Sequence, residues 1–165
     1  MIIRQIKTAD AEEFIQLVQQ VEREAAYMLF EPGERDISVE QQRERIKVVE
    51  QDEHSAIFLA EKKHHLAGYL MAIGSSANRN KHTIYLVVGI LDEYRWQGVG
   101  TNLFEQLENW ATEQSVHRME LTVVTRNEAG LALYKKRGFE IEGTKRDSLL
   151  INGEYLDEYY MAKLL

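Results

Sequence analysis

The 165-residue chain has no cysteine, a single proline and no apolar run long enough to cross a bilayer. Without cysteine there are no disulfides, no thiolate metal sites and no cysteine nucleophile, and a reducing, cytoplasmic setting is compatible. Positive charge is also scarce: 20 Lys and Arg against 27 Asp and Glu leave a net charge of -7. That argues against the basic face of a nucleic-acid binder and suits a cationic substrate, although most of the acidity serves solubility. The five histidines have no metal-ligand spacing, so no metal is expected. The opening Met-Ile-Ile-Arg-Gln-Ile-Lys lacks the charged-then-apolar layout of a signal segment. The sequence therefore reads as a soluble, single domain spanning residues 1–165, long enough for a core without staples.

The periodicities order the chain. Ile2 to Ile6 alternates as a strand, and Thr8-Ala9-Asp10 with Glu13 opens a helix whose face is Phe14, Leu17, Val18 and Val21. Tyr27 to Glu34, with the only proline, breaks it, and Ser38-x-x-Gln41 caps a second helix running to about Gln51. Ala56 to Ala60 and Leu66 to Ile73 form a hairpin, followed by a polar loop from Ser75 to Lys81. Ile84 to Leu91 is a continuous apolar run, the pattern of a strand buried on both faces. Met119 to Val124 reads as a strand and Asn127 to Arg137 as a helix, and Asn152-Gly153 joins two closing strands. No linker or repeat interrupts this order.

The stretch Tyr94-Arg-Trp-Gln-Gly-Val-Gly-Thr101 links the apolar strand to a helix with Leu103, Phe104, Leu107, Trp110 and Ala111 on one face. Gly98 and Gly100 remove side chains where the backbone turns and comes close to a neighbour. Unpartnered amides at the positive end of a helix suit an anion, and the same glycines also suit a bare strand-to-helix turn. A P-loop would need Lys and then Ser or Thr after the second glycine, where Thr101-Asn102 stands. A dinucleotide loop would need a small residue at Leu103.

Arg95-x-x-Gly98-x-Gly100 resembles motif A of the GNAT superfamily of N-acetyltransferases. Asn127, Ala132, Leu133, Tyr134, Gly138 and Phe139 resemble its second signature. Ile151 to Tyr155 and Tyr159-Tyr160-Met161 are similar to the branch of ribosomal-protein and amine acetyltransferases. The resemblance implies an α/β fold with a mixed, mostly antiparallel sheet of about six to seven strands and about four helices. It also implies acetyl-CoA as co-substrate, with the backbone of Val88 and Ile90 pairing its pantetheine arm. Arg95 and the amides of Trp96, Gln97, Gly98, Val99, Gly100 and Thr101 would then hold its pyrophosphate. Asn127 is an ordinary N-cap that the resemblance also gives a cofactor hydrogen bond, and Gly130 beside it would admit the cofactor closely. Tyr134 is the implied acid for the thiolate leaving group. Glu31 and Glu34 resemble an acidic loop facing the acceptor, or else belong to a solvated loop.

The implied activity is transfer of acetyl from acetyl-CoA to a primary amine of a small molecule or protein N-terminus by direct attack. The alternative is a noncatalytic acyl-CoA-binding module, because many relatives carry a Glu near the position of Tyr85 and no acid stands from Thr83 to Leu91. Deprotonating a lysine-type amine at neutral pH costs roughly 4 kcal/mol, but an α-amine only about 1 kcal/mol. A low-pKa acceptor therefore manages better without a dedicated base. The terminal strand is open to pairing with a second copy as a homodimer.

Overall fold

The computed structural model describes residues 1–165. In chain order it forms β1 (Ile2–Gln5), α1 (Ala11–Glu24), α2 (Val39–Gln51), β2 (Ala56–Lys62), β3 (His65–Gly74) and β4 (Thr83–Ile90). Then follow α3 (Val99–Glu113), β5 (Arg118–Val124), α4 (Glu128–Lys136), β6 (Glu140–Ile151) and β7 (Glu154–Leu164). The expected mixed sheet is present with seven strands in the order β1-β2-β3-β4-β5-β7-β6. Only β4 and β5 run parallel.

Local chemistry fixes the element ends. Ser38 Oγ accepts from the Gln41 amide at 3.1 Å and Gln41 Oε1 accepts from the Ser38 amide at 3.0 Å, the reciprocal cap expected from the sequence. At α1 the expectation is only partly met. Thr8–Asp10 is a separate 3-10 turn, and Asp10 accepts from the Lys7 amide at 2.7 Å while pairing with Arg4 at 2.8 Å. Glu13 reaches instead to the Leu66 amide of β3, at 3.3 Å. Asn152 and Gly153 both take positive φ, 51° and 76°, as a two-residue hairpin requires.

Helices cover the sheet from both sides. Phe14, Leu17 and Val21 of α1 and Ile46 of α2 pack with Leu59 and Tyr69 on one face. Leu103, Phe104 and Leu107 of α3 pack with Phe58, Leu70, Leu86, Met119 and Leu121 on the other. Tyr69 is wholly buried with its hydroxyl unpartnered. Its ring lies where a Cβ on Gly89 would stand 2.5 Å from Cε1, so only glycine fits there.

The feature that positions the site is a seam. β4 and β5 pair only at Thr83↔Arg118, Ile84↔Met119 and Tyr85↔Glu120, and then part. This corrects the expectation of a strand buried on both faces: Tyr85 is exposed and Val87, Val88 and Ile90 are half-buried. The Leu91 amide donates to Ala67 O at 3.0 Å. Hydrogen-bonded pairs alternate along an antiparallel ladder, and the β3–β4 register is continuous. Gly89 and Val87 therefore bond to β3, whereas Val88 and Ile90 turn their N–H and C=O toward the seam.

Candidate active site

The loop after β4 is shaped to present amides. Beyond a 3-10 turn at Asp92–Tyr94 the chain extends at Arg95, takes φ 61° at Trp96 and caps α3 with Gly98 at φ 82°. The amides of Trp96, Gln97, Gly98, Val99, Gly100 and Thr101 donate to no backbone carbonyl. They form a run of donors at the positive end of a helix dipole, the electrostatics of an anion cradle.

The glycines serve different purposes. Around Gly98 a Cβ would meet nothing within 4 Å, so its φ is the reason for glycine. A Cβ on Gly100 would lie 2.7 Å from Leu133 Cδ2 of α4 and 3.3 Å from Ile90 Cδ1, so the close neighbour is the protein itself. At Gly130 a Cβ would lie 2.8 Å from Asn127 Nδ2, so this glycine makes room for the Asn127 side chain. Asn127 Oδ1 accepts from the Gly130 amide at 3.0 Å and caps α4.

These pieces converge on one cavity of about 330 Å3. Val88, Ile90, Arg95, Trp96, Gly98, Val99, Gly100, Thr101, Asn127 and Tyr134 all line it. Gln97 does not. Its amide group donates to Glu93 O at 2.6 Å and accepts from Lys62, which turns the side chain away and leaves only its backbone N–H in the loop. The guanidinium of Arg95 is steadied by Asp92 at 2.9 Å. The cavity also takes in Ala132 and Leu133 of the second signature, and Tyr94, Ala129 and Lys136, which motif spacing alone did not single out. Lys136 had one available signal: seven residues, two helical turns, beyond Ala129, it shares the cavity face of α4 and adds a cation there.

Tyr134 lies against the edge of Phe104, ring centroids 5.9 Å apart, and beside Phe139 at 6.1 Å. Burial pushes its phenol up to about 12, with the Tyr85 phenol adding to the rise. At neutral pH the group is therefore a proton carrier with its proton in place.

Across the sheet, Tyr85 bridges the narrow end of the seam with a 2.8 Å hydrogen bond to Thr122 Oγ1. Beside it a second cavity of about 330 Å3 is lined by Arg118, Glu120, Thr122, Glu142 and Tyr160. Both acids are tied to Arg118: Glu120 at 2.8 Å, and Glu142 through a two-pronged pair with one contact at 3.0 Å. Glu31 and Glu34 lie exposed on the loop between α1 and α2, and Glu34 Oε2 accepts from the Glu31 amide at 2.9 Å. Neither lines either of these two cavities. The buried acid of that region is Glu22, paired with Arg35, whose guanidinium stacks 4.1 Å over Phe30. No cluster of three or more potential ligands is set for a metal ion, and no helix is long and apolar enough to cross a membrane.

Comparisons with known proteins identify the fold and the family. The L-amino acid N-acetyltransferase AaaT of Escherichia coli is 43% identical over 82 residues, 46% of this chain and 49% of that protein. The chain thus matches about half the length of this curated relative. A GNAT-family acetyltransferase from Streptococcus pneumoniae superposes with a TM-score of 0.96 at 28% identity, covering 99% of each chain. A phosphinothricin acetyltransferase from Sinorhizobium meliloti, solved with acetyl-CoA, shares the fold with a TM-score of 0.85 at 17% identity. That match covers 99% of this chain and 88% of the other. The model of the acetyltransferase (GNAT) family matches residues 16–139, so the chain belongs to the GNAT family of acetyltransferases.

Proposed function

We propose that the protein transfers the acetyl group of acetyl-CoA to a primary amine, of a small molecule or a protein N-terminus, by direct attack. The observation that carries this reading is the meeting, in one cavity, of the seam-facing strand edge at Val88 and Ile90, the amides from Trp96 to Thr101 and the Tyr134 phenol. Bound acetyl-CoA supplies an activated acetyl thioester. The amides of Trp96 to Thr101, with Arg95 and Lys136 at the mouth, hold its phosphates. The backbone of Val88 and Ile90 pairs with the pantetheine arm and leaves the thioester at the seam. The same strand edge presents N–H donors to the oxygen on which charge develops. Tyr134, protonated through the neutral range, gives its proton to the departing sulfur.

The acceptor approaches from the side of α1 and α2, where the charges also inform its class. Glu120 and Glu142 are committed to Arg118 and Glu22 to Arg35, so none of these three carboxylates is free to serve as a base. An amine that is partly neutral without help is the better acceptor. At neutral pH that favours an α-amine over a lysine-type amine by about 3 kcal/mol. The name of the Escherichia coli relative, an L-amino acid N-acetyltransferase, supports an amino acid or a chain N-terminus as the acceptor. The test is to supply the protein with acetyl-CoA and a panel of amino acids, peptide N-termini, polyamines and lysine side-chain analogues. Thiol release is followed and acetylated products are identified by mass. Selective turnover of α-amines supports the reading, whereas coenzyme A binding without transfer to any amine makes the protein an acyl-CoA-binding module.

A further inference from the structure

Trp96 stands out in the cofactor cavity for its conformation and its exposure. Its φ of 61° lies in the left-handed region, where a bulky side chain is an outlier and glycine is the unstrained choice. Its side chain is nevertheless 85% exposed, the most exposed of the large apolar residues. Burial on the protein therefore does not stabilise the strained backbone. Strain of this kind persists where the surroundings over-determine it, and it clusters at ligand clamps. Here the loop on either side is fixed: Arg95 donates its amide to Asp92 O at 3.1 Å, Gln97 is bonded to Glu93 O and Lys62, and Gly98 begins α3.

We infer that the Trp96 indole is a stacking platform for the adenine of coenzyme A, and so a residue that selects the full nucleotide cofactor over shorter acyl carriers. This rests on the acetyl-CoA reading and extends it to the outer end of the ligand. With the pyrophosphate held by the amides from Trp96 to Thr101 and the pantetheine running inward along Val88 and Ile90, the adenosine must leave the loop on its solvent side. Trp96 lines the cavity and is largely open to solvent there, as an outer position requires, and Lys136 lines the same cavity. Adenine is the only planar aromatic part of the ligand, and an exposed indole offers it a π face. Stacking of a base on an aromatic side chain is worth about 1–3 kcal/mol, or roughly fivefold to a hundredfold and more in affinity.

The experiment compares Trp96→Gly and Trp96→Phe with the parent by calorimetry, titrating coenzyme A and, separately, 4′-phosphopantetheine, which lacks the adenosine. Glycine suits the positive φ, so the loop keeps its shape, and Phe retains a π face. The expected result is a loss of about fivefold or more in coenzyme A affinity for Trp96→Gly, with 4′-phosphopantetheine affinity within about twofold of the parent and Trp96→Phe largely rescued. Coenzyme A should also shield the parent's tryptophan fluorescence from acrylamide, and this shielding should vanish in Trp96→Gly. Unchanged coenzyme A affinity in Trp96→Gly overturns the inference. So does an equal loss for both ligands, which would make Trp96 a determinant of loop shape only. If the parent binds neither ligand, the acetyl-CoA reading falls and takes this inference with it.

Discussion

The residue on which the proposed chemistry turns is Tyr134, whose surroundings keep it neutral. Replacing it by Phe should lower kcat by about 100-fold while coenzyme A affinity, read by calorimetry, changes by less than about twofold. A variant with the parent's kcat would remove Tyr134 from the chemistry. The sign of its pKa shift fixes the pH behaviour. With the folded phenol at about 12 and the unfolded one at 10, the acid form persists in the folded protein through the neutral and mildly alkaline range. The profile of kcat/KM should therefore climb with pH until the acceptor amine is neutral and show no alkaline fall before about pH 11. Stability follows the same linkage. Below pH 10 both states hold the proton. Between 10 and 12 only the folded state does, so ionisation then pulls toward unfolding and the parent should lose stability more steeply than Tyr134→Phe.

Tyr134, Asn127 and the glycine loop were legible in the sequence because their spacing is short and local. Lys136 and Tyr94 were not, since which side of α4 and which side of the 3-10 turn faces the cavity depends on packing against α3. Glu31 and Glu34 drew attention by their resemblance to an acidic loop facing the acceptor. In the fold the Glu34 carboxylate caps the turn at the Glu31 amide, while Glu22, buried on α1, gave no signal that it would pair with Arg35.

Among the elements, α4 carries both a cap and the proposed acid, which makes Asn127 a test of how the two depend on each other. Asn127→Ala should cost about 1 kcal/mol in urea unfolding by removing the bond to Gly130. Asn127→Asp should keep that stability, because aspartate caps equally well, yet weaken coenzyme A binding by setting a carboxylate against its phosphates. Equal loss of stability in both variants would mean that the side-chain amide does more than cap.

The seam makes a second prediction at this scale. The Val88 and Ile90 amides face no strand, so hydrogen exchange followed by NMR should find them fast in the free protein and at least tenfold slower once coenzyme A pairs with them. Protection that is already high without cofactor would mean that the seam is closed. Strand and helix identities were readable from period and turn chemistry, down to the Asn152-Gly153 hairpin. The parting of β4 from β5 was not. It depends on how far two strands 27 residues apart stay in register, and the apolar run from Ile84 to Leu91 looks the same whether its outer edge meets a strand or a ligand.

At the scale of the molecule, an anionic protein of net charge -7 must bind an anionic cofactor. On the proposed reading, short-range donors and two cavity-lining cations, Arg95 and Lys136, meet this need. Coenzyme A affinity should consequently fall as ionic strength rises from 0.05 to 0.5 M, values chosen to span about the range over which screening becomes complete at contact distances. Lys136→Ala should weaken binding roughly fivefold at the low end and hardly at all at the high end, since an exposed ion pair contributes about 1 kcal/mol at most. An effect independent of salt would assign Lys136 a packing role. The seam has a mechanical meaning as well. β1 to β4 and β5 to β7 are two stiff plates, each laddered along its length, and three rungs of backbone join them. Load applied across the width of the sheet concentrates on those rungs, and a ligand lying along the open edge acts as a splint over the joint.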